Sequence, residues 1–270
     1  MSKKQGRLWA WRRRIAYRLL ARPHNDRQDA DADVVPVRLD YPGTDIWLRV
    51  TSMPERRWRA RSCAKEPWTV RWIEDMVRDG EVLYDIGANV GTFSLIAALS
   101  RKASVVAFEP GYANFARLCE NIQLNQCTGL IVPVPLPLSD STGLLTFKYR
   151  SFEPGQSRHA LGGTPFVSRL ESMPANLQPV CAMTLDRVVT DFALSPPHHL
   201  KIDVDGSEVR VLRGATAVLR GEQLRTILIE SDAGQWDALA GELSGAGFTL
   251  QARHERPEKD GAPAYALWAR

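Results

Sequence analysis

The sequence predicts an α/β fold: a mostly parallel sheet with helices on both faces and a C-terminal antiparallel hairpin. Two observations carry this prediction. From residue 81 onwards, short apolar runs alternate with segments whose apolar residues recur every three to four positions. The first run passes through two glycines into a helical pattern, DIGANVGTFSLIAALS, as when a buried strand turns sharply into a helix.

The elements follow in order along the chain. A helix is predicted from Pro67 to Arg78, with a proline suited to its first turn. The remaining strands and helices alternate, as in βαβ units. The predicted strands are residues 81–86, 104–110, 130–138, 144–149, 200–204 and 226–230 with the final pair FTLQAR and AYALWAR, and the predicted helices are residues 92–100, 114–125, 207–220 and 236–247.

Length and composition favour one domain with a short appendage. The chain has 270 residues, of which 44% are hydrophobic and 24% charged. No apolar run is long enough to span a membrane, no secretory signal is evident, and the cysteines lack the spacing of a zinc or redox motif. A cytoplasmic protein with reduced thiols is therefore expected; the cysteines are Cys63, Cys119, Cys127 and Cys181.

Residues 1–44 are interpreted as a basic N-terminal helix and linker, and residues 45–270 as the domain itself, with a substrate-side insertion at 141–180. Nine lysines and arginines crowd the first 27 residues, against Asp26 alone among acids. Residues 7–22 suit a basic amphipathic helix, and peripheral contact with an anionic membrane is one interpretation. A solvated arm or a helix packed on the core is the other. The slightly acidic remainder predicts no nucleic-acid partner.

Acidic side chains follow four predicted strands, and ligands of such sheets bind beyond the carboxyl ends of the strands. Asp85 lies within the glycine turn, where Gly87 and Gly91 let the backbone approach a ligand. Glu109 follows 24 residues later, where a carboxylate accepts the hydroxyls of a ribose. This feature alone does not separate NAD from S-adenosylmethionine. The other acids at strand ends are Asp203, Asp205 and Glu230.

Taken together, four sequence motifs resemble the FkbM-type methyltransferases over roughly residues 60 to 270. They are DIGANVG, AFEP with the downstream NxxxLxxNIxLN, LSD before a glycine, and LKIDVDGSEVRVLRGA followed by ILIE. The resemblance implies a Rossmann-like class I methyltransferase sheet and S-adenosylmethionine as cofactor. It also implies O-methylation of a hydroxyl on a sugar or a small natural-product-like acceptor.

The resemblance also implies roles for individual residues. The methionine and ribose end of the cofactor is expected to contact Asp85, Gly87, Asn89 and Gly91, while Glu109 holds the ribose. Asp140 is expected to face the adenine. The family usually has DxEGxE where this chain has DVDGSE, so Asp205 is one methylene shorter than the usual glutamate.

A hydroxyl is a poor nucleophile, so a positioned base is expected. The candidates are Asp203, Asp205 and His159, the last because a histidine titrates near neutral pH. No metal is obligatory for the reaction. An alternative is that four acids, Asp203, Asp205, Glu208 and Glu230, gather a divalent cation, although Lys201 would more simply pair with one of them.

Three alternative functions stay open at this point. An NAD-linked oxidoreductase shares the glycine turn and the ribose acid, but the third glycine of GxGxxG is missing. A nucleic-acid methyltransferase is indicated only by the basic arm. A catalytically inactive, membrane-associated scaffold of the same fold would use residues 7–22 as its anchor. The sequence specifies neither the acceptor nor the oligomeric state.

Overall fold

The computed structural model describes residues 35–162, 176–255 and 263–270. Its central sheet has seven strands in the order β11-β12-β10-β9-β3-β4-β5. Five neighbouring strands, from β10 to β5, are parallel, and β12 runs antiparallel to both of its neighbours, β10 and β11. The predicted Rossmann-like sheet with a C-terminal antiparallel hairpin is confirmed. The seven strands are β3 (Val82–Ile86), β4 (Ser104–Phe108), β5 (Ile131–Val134), β9 (His199–Ile202), β10 (Thr226–Ser231), β11 (Thr249–His254) and β12 (Ala264–Ala269).

Helices cover both faces of this sheet because successive strand residues point to opposite sides. On one face, Leu83 and Val105 pack with α1, α2, α3 and α4; on the other, Tyr84 and Val106 pack with α5, α6, α7 and α8. The predicted helix at 207–220 is two helices, separated near Gly214. The helices are α1 (Ser62–Lys65), α2 (Pro67–Met76), α3 (Thr92–Arg101), α4 (Tyr112–Leu124), α5 (Leu185–Asp191), α6 (Glu208–Arg213), α7 (Thr216–Arg220) and α8 (Trp236–Gly245).

An N-terminal hairpin belongs to the domain, which corrects the linker expected up to residue 44. Strand β1 (Val35–Arg38) pairs antiparallel with β2 (Trp47–Val50). Val37 and Leu39 are buried in the core beside α2. Strand β1 and the residue after it therefore contribute apolar side chains to the core of the domain. A single π-helical turn, Glu55–Arg59, follows β2.

The insertion at 141–180 contains a second, antiparallel sheet in the order β7-β6-β8. The strands are β6 (Gly143–Tyr149), β7 (Ala160–Leu161) and β8 (Asn176–Ala182). Phe147, Tyr149, Leu161 and Val180 form its small core. The stretch at 150–179, which showed no periodicity in the sequence, therefore contributes two strands.

The basic segment at 1–34, with the expected membrane contact of residues 7–22, lies outside the described residues. Within residues 35–162, 176–255 and 263–270, no helix has the length and apolarity needed to cross a membrane.

Candidate active site

The carboxyl ends of the parallel strands bring the predicted residues to one edge of the sheet. Because β3 lies between β4 and β9, the turn after β3 is flanked by Glu109 on one side and Asp203 on the other. The backbone N–H of Gly87 donates to Phe108 O, and that of Asp203 donates to Ile86 O, both at 2.9 Å. Ladder-like hydrogen bonds therefore hold the three loops together.

The glycine turn depends on two left-handed glycines. Gly87 has φ +86°, and a Cβ at this position would lie 1.9 Å from the backbone oxygen of Asp203. Gly91 has φ +87°, and its Cβ would lie 2.4 Å from Leu118 Cδ1. A side chain fits at neither position, so the sequence of the turn is dictated by close packing as well as by conformation.

Glu109 is anchored by the turn beside it. Its Oε2 accepts the N–H of Asn89 at 2.7 Å, and its Oε1 accepts the N–H of Gly111 at 2.8 Å. Burial raises the pKa of Glu109 to about 7, although these bonds, Asn114 and the charge of Arg59 oppose the rise. Donors that favour the ionised carboxylate, such as a pair of ribose hydroxyls, would lower that pKa again.

Lys201 lies buried on β9 between two acids. Its Nζ is 3.4 Å from Asp85 Oδ1 and 3.3 Å from Asp203 Oδ2, while Asp85 Oδ2 accepts a hydrogen bond from Ser94 Oγ at 2.7 Å. Burial opposes the charge of Lys201, but the acids, with Glu66, raise its pKa above the usual range. The sequence-based pairing of Lys201 with an acid is confirmed, and its ammonium occupies the space between Asp85 and Asp203.

Asp203 is the centre of a buried polar network. Tyr265, on β12, donates its hydroxyl to Asp203 Oδ2 at 2.8 Å, and the hydroxyl also lies 3.1 Å from Glu66 Oε2. Burial would raise the pKa of Asp203, but the charge of Lys201 and side-chain hydrogen bonds with Glu230 and Tyr265 hold that pKa well below its usual range. Asp203 is therefore ionised at neutral pH.

Asp205 and Glu208 lie in the loop after β9 but face different surroundings. Asp205 has φ +55° and accepts the N–H of Arg158 at 2.6 Å; burial and the nearby Asp203 raise its pKa to about 6. Glu208 is buried and accepts the N–H groups of Val204 and Gly206, at 3.2 and 3.1 Å. Glu208 therefore braces the loop, whereas Asp205 faces the insertion.

His159 packs between the rings of Phe147 and Tyr149, with centroid separations of 5.8 and 5.1 Å. Its Nδ1 accepts the N–H of Arg150 at 3.3 Å. Burial and the charges of Arg59 and Arg150 lower its pKa to about 4. In this arrangement the neutral ring carries its hydrogen on Nε2, so it can donate there but has no free lone pair with which to take a proton.

A short segment of the insertion, residues 154–158, crosses the site and is called the strap here. Its backbone is held from both sides of the sheet edge, because Asn89 beside the glycine turn and Asp205 after β9 both bind it. The hydrogen bonds are Ser52 Oγ to Pro154 O (2.7 Å), Arg59 Nε to Gly155 O (2.8 Å), Asn89 Nδ2 to Gln156 O (2.7 Å), Asn114 Nδ2 to Gln156 O (3.1 Å) and the Arg158 N–H to Asp205 Oδ2 (2.6 Å).

Asp140 lies in the loop after β5 and pairs with α6. Its Oδ1 accepts from Arg210 Nη2 at 2.9 Å and from Ser139 Oγ at 3.1 Å. The hydrogen bond from Arg210 holds the pKa of Asp140 below its usual range. Arg210 also donates to Gly162 O at 2.9 Å, so Asp140 anchors one end of the insertion through Arg210.

Several residues of this site escaped the sequence analysis. Tyr265 and Arg59 had no motif to mark them, whereas Glu66, just before the first predicted helix, was already a candidate for the edge of the acceptor pocket. The asparagines of NxxxLxxNIxLN were recognised as part of a motif, but the contacts that they make were not predicted. Asn114 binds the strap, while Asn121 and Asn125 accept the backbone N–H groups of Arg49 and Trp47, each at 2.8 Å, and so dock the N-terminal hairpin.

The site fits a nucleoside-bearing cofactor. The backbone turns sharply through Gly87 and Gly91 at the carboxyl end of β3, and the buried carboxylate of Glu109 lies beside this turn. Among the described residues, no group of three or more His, Cys, Asp and Glu side chains has an arrangement that could hold a metal ion.

Comparisons with known proteins agree with this geometry. The methyltransferase FkbM domain matches residues 85–250. Hexuronic acid methyltransferase AglP of Haloferax volcanii is 34% identical over 180 residues, which is 67% of this chain and 68% of that protein. The 31-O-demethyl-FK506 methyltransferase FkbM of Streptomyces tacrolimicus is 28% identical over 204 residues, covering 66% of this chain and 76% of that protein.

A crystal structure of a methyltransferase FkbM from Methylobacillus flagellatus aligns with 80% of this chain and 55% of that chain, at 14% identity and a TM-score of 0.48. The domain match spans more than half of the sequence and includes the glycine turn, Glu109 and the loop after β9. It supports the expected cofactor, S-adenosylmethionine, and excludes the NAD-linked oxidoreductase as the function. The chain is a methyltransferase and belongs to the FkbM family.

Proposed function

We propose that this protein transfers the methyl group of S-adenosylmethionine to a hydroxyl oxygen of a sugar, in particular of a hexuronic acid or its glycoside. The observation that carries the proposal is the acid-lined loop after β9, beside the glycine turn, in a chain related to AglP, a hexuronic acid methyltransferase.

The charges at this loop favour a hydroxyl over a carboxylate as the methyl acceptor. Asp203 is ionised, and Asp205 lies close enough for Asp203 to raise its pKa. An acceptor carboxylate would meet like charges here, whereas a hydroxyl can donate a hydrogen bond to them. A carboxylate elsewhere on the sugar would be accommodated farther out, towards Arg59 and the exposed Lys65 and Arg158.

The cofactor is held, in this proposal, by the turn from Gly87 to Gly91 and by Glu109, which exchanges its bond to the N–H of Asn89 or Gly111 for the ribose hydroxyls. Asp85 contributes through Lys201, since its own carboxylate is buried against Ser94 and Lys201. The assignment of Asp140 to the adenine stays a prediction; its present partner, Arg210, would compete.

Methyl transfer is an in-line displacement that discharges the sulfonium, so alignment and exclusion of water are the main tasks. The strap covers the cleft between Asn89 and Asp205 and is suited to both. As the carbon–oxygen bond forms, the acceptor oxygen becomes positively charged and its proton far more acidic than a carboxylic acid. An ionised Asp203 can therefore take that proton despite its low pKa, and Asp205 then orients the acceptor.

The test compares p-nitrophenyl β-D-glucuronide with p-nitrophenyl β-D-glucoside as acceptors, measuring S-adenosylhomocysteine formed by the wild type. We expect turnover on the glucuronide and a methyl group that survives mild alkali, as an ether does and an ester does not. An alkali-labile methyl group would move the reaction to the carboxylate. Turnover on neither sugar would reject the proposed acceptor class.

Asp203→Asn is expected to lower turnover by about 10²-fold or more while leaving affinity for S-adenosylhomocysteine unchanged. Asp205→Asn serves as the comparison, because it removes the neighbouring carboxylate, which accepts the backbone N–H of Arg158. If Asp205→Asn alone abolishes turnover, the two roles are reversed.

A further inference from the structure

Tyr265 connects the acid at the proposed transfer site to a second acid near the surface. It lies on β12, directly across from Glu230 of β10, and its side chain is fully buried. Its hydroxyl oxygen is 2.8 Å from Asp203 Oδ2 and 3.1 Å from Glu66 Oε2. One hydroxyl thus bridges two carboxyl groups that belong to distant parts of the sequence.

The bridge continues to solvent. Glu66 is itself buried, but its Oε1 accepts a hydrogen bond from Lys65 Nζ at 2.7 Å, and the side chain of Lys65 is 37% exposed. The ring of Trp68 packs against Tyr265 with 5.5 Å between centroids and shields one side of this path. The contacts therefore run without a gap from Asp203 through Tyr265 and Glu66 to the protein surface.

A hydroxyl carries a single hydrogen and can donate to only one of two carboxylates at a time. After a transfer, Tyr265 donates to Asp203, and the proton that Glu66 has received completes the second contact. When Asp203 receives a proton, Tyr265 can turn its own hydrogen to Glu66 and accept from Asp203 instead. The two arrangements differ by the position of one proton, which is the property of a relay.

The reaction needs such an outlet, because O-methylation of a hydroxyl releases one proton into a site that the strap covers. Asp203 is poorly placed to retain it, since Lys201 lies 3.3 Å away and favours the ionised carboxylate.

We propose that Tyr265 and Glu66 form a proton relay that carries the acceptor's proton from Asp203 to the surface beside Lys65. This inference rests on the proposed function, with Asp203 as the group that first takes the proton.

The step balances as follows. The acceptor's O–H bond breaks and an O–H bond forms at Asp203, while the acceptor oxygen keeps the bonding pair as part of its new ether. The bond at Asp203 then breaks as one forms at the Tyr265 oxygen, and the original O–H bond of Tyr265 breaks as one forms at Glu66. Glu66 releases its proton to water next to Lys65, and every carboxylate regains its charge.

The charged groups that face the relay come from several elements. Lys201 from β9 and Glu230 from β10 contact Asp203, and the charge of Lys65 from α1 acts on both Asp203 and Asp205. None of these groups needs to change during the transfer, so the effects of Tyr265 can be measured against a constant background.

The decisive variant is Tyr265→Phe, and the chain offers a matched control in Tyr84→Phe. Tyr84 is equally buried in the same sheet, and its hydroxyl donates to Ser195 O at 2.9 Å, before β9 and thus at the opposite end of the strands. Both variants lose one buried hydroxyl, and both should show similar shifts in thermal midpoint.

The assay measures S-adenosylhomocysteine formed on p-nitrophenyl β-D-glucuronide from pH 6 to 9, in water and in deuterium oxide. Tyr265→Phe should lower kcat by about 10- to 100-fold with unchanged KM for S-adenosylmethionine. Its kcat should rise with pH as water and hydroxide take over the proton, and Glu66→Gln should show the same profile. Tyr84→Phe should keep kcat within about twofold, because its lost bond is remote from the transfer site.

The outcomes separate the two proposals. An active wild type with a Tyr265→Phe variant of equal kcat, or one whose loss lies only in KM, would overturn the relay and leave the proposed function standing. A wild type that methylates neither test sugar would overturn the proposed function and the relay with it.

Discussion

Replacing Gly87 with alanine tests the tight packing between the glycine turn and the loop after β9. Gly80→Ala is the natural comparison, because Gly80 also has a left-handed backbone, with φ +76°, but has no atom within 4 Å of a Cβ. Gly80→Ala should therefore lose only the about 1 to 2 kcal/mol of unfolding free energy that a left-handed backbone costs a residue with a Cβ.

Gly87→Ala should cost considerably more. Its Cβ would lie 1.9 Å from Asp203 O, whereas ordinary contact begins at 3.4 Å, so the loop must retreat by about 1.5 Å. That movement also strains the bond from the N–H of Asp203 to Ile86 O, worth about 1 kcal/mol. Adding the same cost of about 1 to 2 kcal/mol for a left-handed alanine, we expect a total loss of roughly 2 to 3 kcal/mol.

Urea denaturation at pH 7.5 measures both variants, with unchanged m-values as the condition for comparing midpoints. Calorimetry with S-adenosylhomocysteine then asks whether the folded fraction still binds, and we expect Gly80→Ala to bind as the wild type does. A Gly87→Ala variant within about 0.5 kcal/mol of Gly80→Ala would refute the reasoning, because the turn and the loop would then not be in contact.

Three further predictions concern the cofactor site and the framework around it. Glu109→Gln should weaken S-adenosylhomocysteine binding by about 10- to 100-fold, since bonds to a charged acceptor are lost. Because the pKa of Glu109 is near 7 before binding, wild-type affinity should rise from pH 5 to 7 with release of protons. A calorimetric affinity that does not change over this pH range would contradict this. Burial lowers the pKa of His199, so the unfolded chain binds more protons than the folded one below pH 6.5. The unfolding free energy should therefore fall as the pH falls from 6.5, and urea titrations of His199→Gln should show a weaker dependence of that free energy on pH. Asn125→Ala should lose about 2 kcal/mol, because both bonds to the backbone of Trp47 disappear; an unchanged urea midpoint would show that the hairpin docks without them.

The parts of the site that the sequence predicts are those encoded locally. Asp85 lies in β3, Gly87 and Gly91 lie in the turn that follows it, and Glu109 follows the next strand. A hydrophobic run and the polar residues at its end were therefore enough to place them. The sheet that brings these residues together could also be predicted, because strands and helices alternate in the sequence.

The parts that escaped depend on long-range pairing. Tyr265 reaches Asp203 only because β12 inserts antiparallel between β10 and β11. The local pattern of AYALWAR does not predict which strands will lie beside β12. Glu66 meets Tyr265 across 199 positions of sequence. Strand β1 was taken for linker because its four residues are too few for periodicity to stand out.

The shared counter-ion Lys201 has a consequence for how mutants of this enzyme are to be interpreted. Asp85 lies in β3, before the glycine turn, and Asp203 follows β9, yet both carboxylates balance the same ammonium. Neutralising either one leaves Lys201 with the other alone and strengthens that remaining pair. The unfolding free-energy changes of Asp85→Asn and Asp203→Asn will therefore not add in the double variant, because the second substitution leaves the ammonium of Lys201 without either of these two carboxylates.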